Sequence, residues 1–206
     1  MTKRLSWLLV AAAALCAALA GFWLARELDS SAPRLASGTW LAPARVVPAF
    51  QLIDPMGRPF TVHELQGRPS LVFFGFTHCP DVCPTTLAKL AQVKKAAAIP
   101  GLQVLFVTVD PQRDTPSVVS QYAHAFDPGF IGLTGEPQSI AKLTAAFGVA
   151  AVRVDLPGGD YTMDHSAAVF LVDARARIVG IFTPPYDTGR LAQDLRLAAP
   201  QLAANS

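Results

Sequence analysis

The stretch of this 206-residue chain most able to do chemistry is Phe-Gly-Phe-Thr-His-Cys-Pro-Asp-Val-Cys-Pro, residues 74–84, in which three residues separate Cys79 from Cys83. A pair separated by two residues would read as a redox motif of the thioredoxin type. The wider spacing suits two end states. A disulfide draws its sulfurs to about 2 Å, whereas two thiolates bound to one metal ion at roughly 2.3 Å each lie about 4 Å apart. The apolar run 70–76 ahead of the pair, rich in Leu, Val and Phe, has the length of one buried strand. Behind it, Leu87, Leu90 and Val93 carry a helical period, with Pro84 suited to the first helical position and Cys83 to the cap. Cys83 is thereby expected at the positive end of the helix dipole, which favours thiolate over thiol. Two inert buried cysteines or a structural disulfide are the alternatives; the proline-bounded, cap-adjacent setting favours reactive thiols.

The elements that must position this loop are legible on either side of it. Phe50-Gln51-Leu52-Ile53, the turn Asp54-Pro55-Met56-Gly57 and Phe60-Thr61-Val62 make a short hairpin. The strand ending at Phe76 leads through the loop into a helix reaching Ala98, stopped by Pro100-Gly101, and then into a buried strand over 102–109. Strand–helix–strand order implies a parallel pair. Residues 110–116 form a loop in which Thr115 caps a helix to Phe126, and another helix spans 137–147 and ends at Gly148. A short strand at 151–154 and a turn at 156–160 precede Tyr161-Thr162-Met163-Asp164-His165-Ser166, which runs into a strand at 168–172. That strand turns at 173–175 into an antiparallel partner at 178–182, and Asp187 or Thr188 caps a last helix with Leu191, Leu195 and Leu197 on its apolar side. The order predicts a thioredoxin-like α/β sandwich with an N-terminal hairpin extension.

Two thiolates rarely complete a metal site, and four histidines could supply a third donor. His63 falls in a surface connection and His124 late in a helix, both ordinary settings. His78 adjoins Cys79, but neighbours on an extended segment face opposite ways, which leaves it a tuning role. His165 differs. In thioredoxin-like folds the loop before the hairpin strand packs against the active cysteines and usually carries a proline; here it reads Asp164-His165-Ser166. Cys79, Cys83 and His165 then form the candidate ligand set. Soft thiolates at low coordination number favour Cu(I), and the imidazole keeps Cu(II) accessible. Structural zinc would need a fourth donor, and catalytic zinc stays open on ligand type alone. Asp81 and Asp110 read as solvated loop carboxylates near the site.

A net charge of +2 without a basic run gives no basis for nucleic-acid binding. Residues 5–25 carry no charge, and 21 such residues in a helix span a bilayer. Lys3 and Arg4 precede the run, so residues 1–4 are expected in the cytoplasm and all that follows the run across the membrane. A cleaved signal peptide is the alternative, with a small-residue site at Ala18-Leu19-Ala20; the apolar run continuing through Phe22, Trp23 and Leu24 favours an uncleaved anchor. Leu15 before Cys16 does not fit a lipoprotein signal. Residues 26–47, without clear periodicity, read as a tether onto which Trp40 and Leu41 could fold back, and 48–206 as the globular domain.

Four motifs, Phe-Thr-His-Cys-Pro-Asp-Val-Cys-Pro (76–84), Val-Asp-Pro-Gln-Arg-Asp-Thr-Pro (109–116), Gly-Leu-Thr-Gly (132–135) and Tyr-Thr-Met-Asp-His-Ser (161–166), together resemble the Sco/SenC family. The resemblance implies a copper protein of the bacterial periplasm, tethered to the inner membrane, that assists assembly of cytochrome c oxidase. It implies one copper per chain, as Cu(I) or Cu(II), on Cys79, Cys83 and His165. The implied partners are the copper-centre subunit of the oxidase and another periplasmic copper chaperone or thiol reductase. Copper delivery to the binuclear centre and reduction of that centre's cysteines are the two implied tasks, with Cys79 and Cys83 as the redox pair in the second. A peroxidase would need a low-pKa cysteine with a dedicated arginine, and Arg113 is the nearest candidate.

Overall fold

The computed structural model describes residue 7, residues 13–23 and residues 32–203. Its strands are β1 (Gly38–Val46), β2 (Gln51–Ile53), β3 (Pro59–Thr61), β4 (Ser70–Gly75), β5 (Gln103–Thr108), β6 (Phe130–Leu133), β7 (Ala151–Asp155), β8 (Tyr161–His165), β9 (Val169–Val172) and β10 (Arg177–Phe182). Its helices are α1 (Val82–Ala97), α2 (Pro116–His124), α3 (Pro137–Phe147) and α4 (Thr188–Leu202). β4 and β5 are buried at every position and run parallel, with Phe73 opposite Phe106. Strands covered on both faces read as unbroken apolar runs, which made them legible. The sheet order is β1-β10-β9-β4-β5-β6, with β6 parallel to β5, and β9, β10 and β1 each antiparallel to its neighbour.

Alternation along β4 sends its aromatic rings to opposite faces. Phe74 meets Phe147 of α3 and Phe170 of β9, with ring centroids 5.2 and 6.1 Å away. Phe73 meets Phe106, whose other neighbour is Tyr122 of α2 at 5.4 Å. The β2–β3 hairpin joins the body through paired hydrogen bonds between Ile53 and Thr134. The fold is the expected thioredoxin-like α/β sandwich.

Several elements depart from the sequence reading. The first nine-residue strand, β1, lies within the stretch expected to be tether. It pairs with β10, and Trp40 and Leu41 pack onto the core. Its two ends are fixed by groups far along the chain, chiefly the buried Asp194 carboxylate of α4, which accepts from Ala36 N–H, Ser37 N–H and Ser37 Oγ at 2.8, 2.7 and 2.6 Å. Residues 34–206 accordingly form one unit. The short strand β6 was not foreseen either. Its Gly132 lies so close to α2 that a Cβ would sit 2.4 Å from the Val119 carbonyl oxygen, so Gly-Leu-Thr-Gly is first a packing motif. On α4 the buried positions are Leu191, Ala192, Asp194, Leu195, Ala198 and Leu202, a face that leaves Leu197 to solvent.

Residues 13–23 are helical. Among the described residues no helix is long and apolar enough to cross a membrane. The remainder of the anchor expected at 5–25 lies outside the described residues, apart from residue 7, as do residues 1–4 and 24–31.

Candidate metal centre

The buried strand β4 ends at Gly75, and the chain turns through Phe76 with the Cys79 N–H donating to the Phe76 carbonyl at 3.3 Å. Helix α1 begins at Val82, two residues earlier than its proline suggested, so Cys83 lies inside the first turn instead of capping it. Its side chain points inward and is fully buried, while Cys79 is partly exposed. The Cys83 N–H at the helix start donates to Cys79 Sγ at 3.4 Å. The polar helix end therefore serves Cys79. Burial pushes the Cys83 thiol well above the ordinary range and outweighs the stabilising Phe76 backbone hydrogen bond. The expected thiolate preference at Cys83 is overturned: desolvation disfavours the charged form more than the dipole favours it.

Strand β8 brings the third group. His165 Nε2 lies 3.3 Å from Cys83 Sγ, and its Nδ1 lies 3.1 Å from the Ser166 carbonyl oxygen. A carbonyl only accepts, so Nδ1 carries the proton and Nε2 presents its lone pair toward the sulfur. The ring stands edge-on to Phe76 and Phe73, at 5.8 and 6.2 Å. Burial lowers the His165 pKa, which keeps the imidazole neutral and able to ligate, against a smaller opposing effect of the Ser166 carbonyl. Sγ of Cys79, Sγ of Cys83 and a ring nitrogen of His165 all lie within 4.8 Å of one another. Both cysteines are free thiols. A trench of about 230 Å³ beside them is lined by Cys79, Pro80, Val82, Met163, Asp164 and His165, so the donor cluster is reached from one side. The roomier cavity, about 600 Å³ between the β2–β3 turn and the start of β6, contains none of the three donors.

The other candidates separate cleanly. His78 is half exposed, 3.2 Å from Thr77 Oγ and 3.9 Å from the Asp114 carboxylate. His63 pairs with Gln66, and His124 is an exposed residue at the end of α2. Asp81 is exposed as expected, but Asp110 is not a solvated carboxylate: it is 3% exposed and accepts from Arg113 Nε and the Tyr161 hydroxyl. With Arg113 committed to Asp110, the peroxidase reading loses the dedicated arginine it required. Sequence reasoning missed Thr77, Thr108, Asp114 and Tyr161, which tie the neighbouring loops together.

A thioredoxin-like scaffold with two thiols and an imidazole gathered at the end of its central strand defines a soft-metal-binding class. The chain belongs to the SCO1/SenC family, whose profile matches residues 39–199. It is 42% identical over 137 residues to a SCO2-like protein of Rickettsia felis, covering 65% of this chain and 67% of that one. It is 35% identical over 164 residues to a putative copper-binding protein of Stutzerimonas stutzeri, covering 78% of each. Among solved structures it is similar to Bradyrhizobium japonicum ScoI with copper bound, at 42% identity and a TM-score of 0.67 over 73% of this chain and 98% of that one.

Proposed function

We propose that this chain is a copper chaperone, binding one copper ion through Cys79, Cys83 and His165 and passing it to the binuclear copper centre of cytochrome c oxidase. The observation that carries the reading is the gathering of two sulfurs and one imidazole nitrogen within 4.8 Å from two separate elements. The donor set fits the metal: soft sulfurs suit Cu(I), and the nitrogen suits Cu(II). Its asymmetry fits transfer. Cys83 anchors the ion from below, while Cys79, partly exposed at the trench, is the donor an incoming ligand can displace. Loading must displace the Cys83 proton, which a bound metal does readily by stabilising thiolate. Copper-bound relatives of this fold and the family's role in oxidase assembly support the same reading.

The anchor at 5–25 would hold the domain on the periplasmic face of the inner membrane, a placement supported by the charge order around that run. A second reading follows from the proximity of the two free thiols. Cys79 could attack a disulfide of the oxidase copper site, and Cys83 could then release the reduced partner thiols, leaving a Cys79–Cys83 disulfide and transferring two electrons.

The test is to reduce the full chain, load it with Cu(I) and then Cu(II), and compare it with His165→Ala by metal analysis, absorption and electron paramagnetic resonance. One copper per chain with thiolate charge-transfer bands, and loss of tight binding in His165→Ala, is expected. Stoichiometric tight copper in that variant would remove His165 from the ligand set. A cycling disulfide with no copper in the wild type would assign the chain to the reductase class.

A further inference from the structure

β7 and β8 form a ribbon of their own, outside the six-stranded sheet. His165 therefore rides on an element that pairs with no strand of the main sheet among the described residues, while the cysteines follow the central strand β4. The registry between the two halves of the donor cluster must come from elsewhere, and the turn 110–114 after β5 touches both. Toward the cysteine loop, the fully buried Asp114 carboxylate accepts from Thr77 N–H at 3.0 Å, Thr77 Oγ at 2.6 Å and Thr108 Oγ at 2.5 Å. Toward the ribbon, Asp110 accepts from the Tyr161 hydroxyl at 2.8 Å and Arg113 Nε at 2.5 Å. Arg113 Nη1 donates to the Tyr161 carbonyl at 2.9 Å and to Asp160 at 3.3 Å. The Tyr161 ring is held between two guanidinium groups, Arg113 at 3.7 Å and Arg153 at 3.8 Å. The turn itself is closed by Arg113 and Asp114 N–H groups donating to the Asp110 carbonyl at 3.2 and 3.0 Å.

We infer that the Asp110–Arg113–Tyr161 clasp is the positioning device for the third ligand: it holds the ribbon down so that His165 faces the two sulfurs, and so decides whether copper is held by three donors or by two. Tyr161 and His165 occupy the two ends of β8, about 13 Å apart along the strand. Chain continuity with α3 and β9 holds the ribbon at the His165 end, where Ser166 and Ala150 also bond to each other. The clasp holds the other end. Released there, the ribbon pivots about its base and turns the imidazole away, while the dithiol stays fixed by Asp114. The inference rests on the copper reading of the site, and its test separates the two.

Arg113→Gln removes the charge-assisted bonds and the stacked cation, Tyr161→Phe removes only the hydroxyl bond to Asp110, and Arg113→Lys keeps a charge without the fork. In the metal-free full chain, hydrogen exchange of the β8 amides is expected to quicken about tenfold in Arg113→Gln, the size of one lost charge-assisted bond. The β4 and β5 amides should keep wild-type rates. After copper loading, the variant should keep its thiolate bands but bind copper more weakly, with its Cu(II) nitrogen hyperfine signal falling toward that of His165→Ala. Tyr161→Phe should move both readouts the same way by less, and Arg113→Lys should not restore them. A wild-type nitrogen signal in Arg113→Gln, or exchange quickened equally across every strand, overturns the inference. A wild-type chain that binds no copper refutes the copper reading alone, and the exchange comparison still decides the clasp.

Discussion

Gly75 lies directly beneath the donor cluster, and adding one carbon there tests the geometry. Its backbone is ordinary extended strand, so the glycine is required by space rather than by conformation. A Cβ would sit 2.8 Å from Cys83 Sγ and 2.8 Å from Cε2 of Phe106. Both neighbours are fully buried, and Phe106 is held in the paired strand β5, so neither can swing into solvent. Ordinary contact needs separations of about 3.5–4.0 Å, and relieving that overlap in a packed core costs about 1–3 kcal/mol. The sulfur is the softer of the two obstacles, so part of the strain should appear as displacement of Cys83 from His165. Urea unfolding of the metal-free chain should show Gly75→Ala destabilised within that range, with weakened copper binding. The decisive measurement is a double-mutant cycle with Cys83→Ala. Removing the sulfur leaves only the Phe106 clash, so Gly75→Ala should cost about 1 kcal/mol less in that background. Equal costs in both backgrounds would refute the claim that Gly75 exists to admit the Cys83 sulfur.

Two further outcomes follow from buried polar groups. Asp194→Ala strands the donors at Ala36 and Ser37 and should cost about 2 kcal/mol, with faster proteolysis at 34–46 as the direct readout; unchanged cleavage there would show that β1 is held by its pairing with β10 alone. Burial depresses the His165 pKa below its unfolded value of about 6.5, so the unfolded chain binds the extra proton first. Stability of the metal-free chain should therefore be complete above about pH 6.5 and decline as pH falls below it. Unfolding measured at two pH values on either side should give a smaller difference in His165→Ala; an identical difference would assign the acid sensitivity to other groups.

What could be read in the chain, and what could not, divides by how far each residue's partners lie along it. β4, β5, α3 and the β2–β3 hairpin announce themselves because their signals are local: unbroken apolar runs, a proline and glycine bounding a helix, a turn of fixed composition. Cys79, Cys83 and His165 were likewise visible, since a pair of thiols next to a helix start and a histidine before a hairpin strand are local patterns too. The failures are all non-local. β1 carries a proline, Pro43, and no period, and it becomes a strand through β10 and Asp194, more than a hundred residues away. The thiolate expected at Cys83 followed from the helix dipole, a local property, and was reversed by burial, which depends on everything packed above the residue. Asp110 looked like one more solvated carboxylate, because nothing near it in sequence says that Tyr161 will arrive to bond it. The identity of the candidate donors can thus be encoded in a few adjacent residues. Ligand geometry cannot, because the distance between the sulfurs and the imidazole is set by a loop that contributes no donor itself.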